Sequence, residues 1–224
     1  MIRLVDVGKT YFLGEEEVHA LSSISLEIKK GEFVSIVGPS GCGKSTLMYL
    51  MGLLEVPTEG QIFINEADTS KLSDDELSVL RNRHVGFIFQ SFNLVNKFTV
   101  LENILMPERY CRGKLDFNPQ SRAQELLKML GIWERKDFFP NKISGGQQQR
   151  AAIARALMMH PTIILADEPT GNLDSKTGSE ILDLLAKLNR QLKVTISIVT
   201  HDPKIAAKTK RQIHMSDGRI IKKQ

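Results

Sequence analysis

The sequence predicts an α/β protein: a mixed, mainly parallel sheet covered by helices, with an antiparallel β part beside it and an inserted helical lobe. Three observations carry that expectation. Residues 32–37, 162–167 and 194–200 are short, β-branched and almost continuously apolar, as parallel strands covered on both faces are. Helical periodicity alternates with them, most clearly over 175–192, where Ile181, Leu184, Leu185 and Leu188 fall at i, i+3, i+4 and i+7. Between about 92 and 155 the strand signals fade and helical ones dominate.

Along the chain, residues 25–28 and 61–64 alternate in period two, with Gly31, Pro57 and Gly60 as punctuation, and are expected to be antiparallel strands. In the helical stretch Asn118-Pro119 supplies a cap and a first residue. Ala123, Leu126, Leu127 and Leu130 share one face there, and Gly131 is the stop. Residues 211–216 and 219–221 flank Asp217-Gly218, a two-residue hairpin signal. No repeat or Pro/Ser-rich linker divides the chain. Residues 1–224 are therefore expected to form one unit, with a core from 1–91 and 156–224 and a helical subdomain from 92–155.

Composition narrows the class. With 42% hydrophobic and 25% charged residues the chain is expected to be a soluble globule, which excludes disorder as its main state. The longest nearly unbroken apolar run, residues 47–54, falls far short of the roughly 18 residues that span a bilayer, so no direct membrane insertion is expected. The N-terminus lacks the basic, apolar and small-residue sequence of a secretion signal, which makes the cytoplasm the expected location. Cys42 and Cys111 form no CxxC pair, and no cysteine or histidine cluster has zinc-ligand spacing. The net charge of +4 is spread along the chain and aromatic residues make up only 6%, which argues against a nucleic-acid partner.

The strongest chemical signal is Gly38-Pro39-Ser40-Gly41-Cys42-Gly43-Lys44-Ser45, a G-x-x-x-x-G-K-[ST] phosphate loop between a strand and a helical stretch over 45–54. Its glycines let backbone N–H groups turn toward phosphate oxygens. The helix N-terminus adds partial positive charge, Lys44 reaches the β- and γ-phosphates, and the Ser45 hydroxyl suits Mg²⁺. A second signal is Asp167-Glu168, two acids at the end of an apolar strand, where Asp167 would support a metal and Glu168 would deprotonate water. Alone, such a pair is also a common helix-capping turn. Ser144-Gly145-Gly146-Gln147 opens a helix with uncovered N–H groups, which suits either a second anion contact or a plain N-cap. Gln90 and His201 each follow a strand, where open parallel sheets deliver residues to a ligand crevice. Tyr11 fits either a core aromatic or a stacking platform for a base.

Taken in order, Tyr11, the 38–45 loop, Gln90, Ser144 to Gln147, Asp167-Glu168, Asn172-Leu173-Asp174 and His201 resemble the motif series of an ATP-binding cassette (ABC) ATPase over nearly the whole chain. The resemblance implies a P-loop NTPase core, ATP and Mg²⁺ as cofactors, and a defined role at each matching position. Tyr11 would stack on adenine. Gly38, Pro39, Ser40, Gly41, Cys42, Gly43, Lys44, Ser45 and Thr46 would hold the phosphates, and Ser45, Gln90 and Asp167 the Mg²⁺ shell. Glu168 would be the base, and His201 would contact the γ-phosphate and position Glu168. Ser144, Gly145, Gly146 and Gln147 would bind ATP held by a second copy of the chain, with Asp174 in the loop linking the two sites.

The finer resemblance is to the subgroup serving macrolide export, lipoprotein release and cell division, carried by Gly86-Phe87-Ile88-Phe89-Gln90-Ser91-Phe92-Asn93-Leu94 and Ala166-Asp167-Glu168-Pro169-Thr170-Gly171-Asn172-Leu173-Asp174-Ser175. It implies an ATPase subunit, peripheral on the inner face of the membrane, driving a separate membrane permease subunit for export or lipoprotein release. The alternatives are an ATPase that drives transmembrane signalling to cell-wall enzymes and a soluble ABC protein of translation or repair. Cys42 and Ile143 depart from the subgroup's usual Ser and Leu. Trp133 and Phe138-Phe139 would form either a docking groove or the core of the helical lobe.

Overall fold

Two sheets organise the molecule in a computed structural model that describes residues 1–221. The first is antiparallel: β1 (Ile2–Leu13), β2 (Glu16–Ile28), β4 (Glu59–Ile64) and β5 (Ala67–Asp68) lie in the order β2-β1-β4-β5. The second contains β3 (Phe33–Val37), β6 (Val85–Ile88), β7 (Ile163–Asp167), β8 (Thr195–Thr200), β9 (Arg211–Ser216) and β10 (Arg219–Ile221). Its order is β10-β9-β3-β8-β7-β6, parallel from β9 to β6, with β10 antiparallel at the edge. The helices are α1 (Lys44–Met51), α2 (Asp74–His84), α3 (Val100–Arg109), α4 (Pro119–Met129), α5 (Gly145–Leu157), α6 (Ser175–Leu192) and α7 (Pro203–Ala206).

The three apolar segments are β3, β7 and β8, each starting one residue later than its apolar run. Every residue of β3 and β8 is buried, because the sheet is covered on both faces. On one face Ile88, Ile164, Ala166, Ile196 and Ile198 pack with α3, α4, α5 and α6. On the other, Val34, Ile36, Leu165 and Val199 pack with α1 and the antiparallel sheet. Ile181, Leu185 and Leu188 of α6 are buried, while Leu184 lies half-buried at the margin of the stripe. The Asp217-Gly218 turn closes the β9–β10 hairpin with both residues at positive φ. α4 starts on the Asn118 cap, whose side chain accepts from the Ser121 N–H at 2.9 Å.

Two elements depart from the sequence expectation. The alternating segment at 25–28 is only the end of a long β2, and its partner β1 shows no alternation in sequence because it is bulged. The β1–β2 register shifts between Leu4 and Val7 and twice more before Thr10, and Asp6 sits at φ 52, so period-two alternation is lost. α2 has a weak apolar stripe, with Leu77 its one buried side chain, but Ser73 and Glu76 form the capping box that starts it. α5 runs on from Arg155 to Leu157, so residue 155 lies within a helix. The last three residues of the expected 156–224 segment lie outside the described part of the chain. Among the described residues no helix is long and apolar enough to cross a membrane.

Candidate functional site

The parallel strands end together. Val37 of β3 is level with Thr200 of β8, Asp167 of β7 with Val199, and Ile88 of β6 with Ala166. The residues after each strand therefore emerge along one sheet edge, which brings the 38–45 loop, Gln90, Glu168 and His201 to the same end of the sheet.

The loop between β3 and α1 turns through left-handed Gly41 (φ 79) and Gly43 (φ 95). Gly43 is the N-cap of α1 and supplies no side-chain acceptor, so the first-turn N–H groups are left for an anion. A side chain here is excluded, since a Cβ on Gly43 would lie 2.5 Å from the Ala20 carbonyl oxygen and 2.8 Å from Leu21 Cδ2. Ala20 is the residue skipped when the β1–β2 pairing slips between Lys9–Leu21 and Thr10–His19, so this bulge sets the backbone against the phosphate loop. From behind, the Gly218 N–H donates to the Cys42 carbonyl at 3.2 Å. Buried Lys44 donates from Nζ to the carbonyls of Gly38 (2.8 Å) and Pro39 (2.6 Å), which holds its ammonium at the loop. The Cys42 thiol is buried 3.9 Å from that ammonium.

Glu168 follows β7 at φ 42, a left-handed conformation rare for a non-glycine residue and enforced by its neighbours. Its N–H donates to the Val199 carbonyl at 3.0 Å, and its own carbonyl accepts from Gly171 N–H at 3.0 Å. Its carboxylate is held from three directions. Thr200 Oγ1 donates to Oε2 at 3.0 Å, the His201 N–H donates to Oε1 at 2.9 Å, and His201 Nδ1 lies 2.6 Å from the same oxygen. Beside it, burial and then the Glu168 charge raise the Asp167 carboxyl above its ordinary value, while the Lys44 charge pulls the other way.

A half-buried acid of that kind is suited to a cation. Ser45, Asp167 and Gln90 offer a hydroxyl, a carboxylate and an amide oxygen, the hard oxygen donors Mg²⁺ takes. The Gln90 turn is fixed by Asn172, whose Nδ2 donates to the Gln90 carbonyl at 3.0 Å while Gln90 Nε2 donates to Asn172 Oδ1 at 3.5 Å. Among the described residues the Gln90 Oε1 has no hydrogen-bond partner.

Ser144 is the N-cap of α5, with a complete capping box: Ser144 N–H donates to Gln147 Oε1 at 3.0 Å, and Gln147 N–H to Ser144 Oγ at 3.3 Å. Among the described residues no hydrogen bond joins Ser144 to Gln147 with the phosphate loop of the same chain. Gly146 instead packs on Thr177, and Gly145 on Leu173. Asp174 caps α6, accepting from the N–H groups of Lys176 (3.1 Å) and Thr177 (3.0 Å), and the Thr177 side chain first, then these backbone bonds, hold its carboxyl below its ordinary value. Tyr11 stands half-buried on β1 and donates its hydroxyl to Glu55 at 2.6 Å, with Thr46 of α1 beside it.

Sequence reasoning missed Thr200 and Gln149. Thr200 reads as the last strand residue before His201, yet it holds the Glu168 carboxylate. Gln149 is buried in α5 and donates from Nε2 to the Pro169 carbonyl. Neither has a signal in sequence, because each acts on a residue 20 or more positions away. A cleft of about 470 Å³ next to the Gln90 turn is lined by Leu54, Phe87, Phe89, Tyr110 and Arg155 among others. Trp133 packs against the helical core instead, while Phe138 and Phe139 are more exposed.

A phosphate loop, an acid pair and a second glycine-rich helix start on this fold define a nucleotide-hydrolysing cassette. Residues 21–171 match the ABC transporter family, and the chain belongs to that family. It is 49% identical over its whole length to the uncharacterized ABC transporter ATP-binding protein MJ0796 of Methanocaldococcus jannaschii, of which it covers 97%. It is 43% identical over 96% of its length to the lipoprotein-releasing system ATP-binding protein LolD of Bordetella pertussis, covering 92% of that chain. With the macrolide export ATP-binding/permease protein MacB of Chlorobaculum tepidum it shares 48% identity over 99% of its length, but spans only 34% of that longer protein. The dimeric, post-hydrolysis structure of MJ0796 bound to ADP and Pi superposes with a TM-score of 0.89 at 47% identity, covering 100% of this chain and 98% of that one. The chain is accordingly an ABC ATPase of the macrolide-export and lipoprotein-release subgroup, an ATP-driven transporter subunit.

Proposed function

We propose that two copies of this chain close head to tail around two ATP molecules and drive a separate membrane permease for export or lipoprotein release. The observation that carries the chemistry is the fixed Glu168 carboxylate at the sheet edge that bears the phosphate loop. Glu168 accepts a proton from water as the water oxygen attacks the γ-phosphorus. The bond to the bridging oxygen breaks, giving ADP and inorganic phosphate. Lys44 and the N–H groups of residues 41–46 take the phosphate charge, and His201 holds Glu168 and faces the γ-phosphate. Ser45, Gln90 and Asp167 would hold Mg²⁺, which supplies charge neutralisation at the phosphates.

The second copy completes the site. Ser144, Gly145, Gly146 and Gln147 close on the ATP of the partner, and Asp174, at the start of α6 and next to them, couples the two sites. The cleft beside Gln90 receives the permease, since Tyr110 and Leu54 expose apolar surface there. Residues 92–155 act as the moving helical subdomain on a core of 1–91 and 156–224. The chain works at the inner face of the membrane through that permease. MacB and LolD support this reading as named relatives of export and lipoprotein-releasing systems.

Glu168→Gln is the test. Turnover is expected to fall by about 10²–10⁴-fold, while the variant elutes as a dimer with ATP and Mg²⁺. A variant that remains monomeric at saturating ATP refutes the sandwich. Tagged Glu168→Gln retained on a detergent-solubilised permease would place the complex, and recovery of soluble partners alone would refute it.

A further inference from the structure

We infer that Lys9 and Glu55 are positioning residues for the base of the nucleotide, fixing the Tyr11 ring as a stacking platform with one open face. The inference rests on the reading above that Tyr11 carries adenine. Two parts of the chain meet at this ring. Tyr11 and Lys9 stand on β1, while Glu55 and Val56 lie in the segment that leaves α1. The Tyr11 hydroxyl donates to Glu55 Oε2 at 2.6 Å, and Lys9 Nζ lies 3.2 Å from the same oxygen. Lys9 also donates to the Val56 carbonyl at 2.9 Å, and its ammonium sits 5.0 Å from the centre of the Tyr11 ring.

This is not an ordinary surface ion pair. The Lys9 side chain is 15% exposed and that of Glu55 27%, and one carboxylate oxygen serves both the phenol and the ammonium. A phenol donating to a carboxylate makes a charge-assisted bond with directional demand, so the ring plane is set by a group outside β1. A cation over one face of the ring is bound by its π density and leaves only the other face for a flat base. The same residues set the distance between base and phosphates. Glu55 follows the helix that the phosphate loop leads into, and Thr46 in the first turn of that helix lies beside Tyr11. Neither Lys9 nor Glu55 needs to touch ATP to act in this way.

The test separates a base platform from a simple brace by using two ligands: ATP, and inorganic tripolyphosphate as a base-free probe, both with Mg²⁺. Lys9→Met and Glu55→Gln are each expected to raise the Kd for ATP about 3- to 10-fold with the Kd for tripolyphosphate unchanged, while the melting temperature of the free protein falls because a largely buried ion pair is broken. In a Tyr11→Ala background neither change should weaken ATP binding further. Equal weakening of both ligands would show a brace and overturn the inference. If Tyr11→Ala weakens ATP while Lys9→Met and Glu55→Gln do not, the positioning role fails and adenine stacking stands. If Tyr11→Ala leaves ATP binding intact, the stacking reading fails and takes this inference with it.

Discussion

Gln149 of α5 hydrogen-bonds the carbonyl of Pro169, the residue directly after Glu168, through an amide buried completely in the protein. The helix that opens with Ser144 and the turn that carries the candidate base are thus one mechanical unit. The Oε1 atom of the same amide is buried without a partner among the described residues. Gln149→Leu keeps the volume and removes that orphan oxygen, but frees the Pro169 carbonyl. Stability is expected to change by no more than about 1 kcal/mol, while kcat for ATP falls on the order of tenfold. A melting curve and a steady-state ATPase assay decide it, and normal turnover would show that the link is not used.

Thr200 offers a sharper separation of position from fold. Its hydroxyl donates to Glu168 Oε2 and accepts the Asp202 N–H at 3.0 Å, at the start of α7. Thr200→Val removes both bonds and should lower kcat about tenfold at a cost of about 1–3 kcal/mol in stability. Thr200→Ser restores the hydroxyl and should recover both. ATP affinity is expected to hold, because the hydroxyl is already engaged by Glu168 and Asp202. Recovery of stability without recovery of kcat would show that Thr200 does not act through Glu168.

The division between what the sequence disclosed and what it withheld follows the range of the interactions. β3, β7 and β8 are buried on both faces, so apolar continuity alone reveals them, and the phosphate loop is eight consecutive residues with fixed spacing. β1 was hidden because its bulges break the alternation, although these same irregularities bring Ala20 against Gly43. The site residues that sequence order exposed lie in short contiguous motifs, at helix starts, or beside the ends of apolar strands. Those it concealed, Thr200, Gln149 and Glu55, are ordinary residue types whose meaning lies in a contact 20 to 44 positions away.

Asp167 carries a pH signature. Burial, then the Glu168 charge, raise its carboxyl above the ordinary range against the pull of Lys44. The folded chain therefore holds this proton more tightly than the unfolded chain. The ionised carboxylate opposes folding by an amount that is absent below the unfolded value and grows as pH rises through the folded one. Asp167→Asn should remove that penalty. At pH 7 the nucleotide-free variant is expected to melt higher than the parent, by about 2–4 °C for each kcal/mol relieved. The advantage should vanish in acid, below the carboxylate range, while Mg²⁺-dependent ATP hydrolysis is lost. A variant that melts lower than the parent at pH 7 would reverse the sign.

Gly146 is a packing constraint as well as part of the proposed ATP contact. A Cβ placed on it would lie 2.6 Å from Thr177 Cγ2, at the first turn of α6. Alanine normally improves a helix interior by about 1 kcal/mol over glycine. Here the clash should dominate and Gly146→Ala should destabilise by about 1–3 kcal/mol. Thr177→Ser deletes the methyl that the new Cβ meets and keeps the backbone N–H that Asp174 caps. The Gly146→Ala, Thr177→Ser pair is therefore expected to melt at or above the parent temperature, with the helix propensity of alanine now expressed. Calorimetry of the two single variants and the pair gives the coupling directly, and strictly additive effects would mean that α5 and α6 do not meet at these residues.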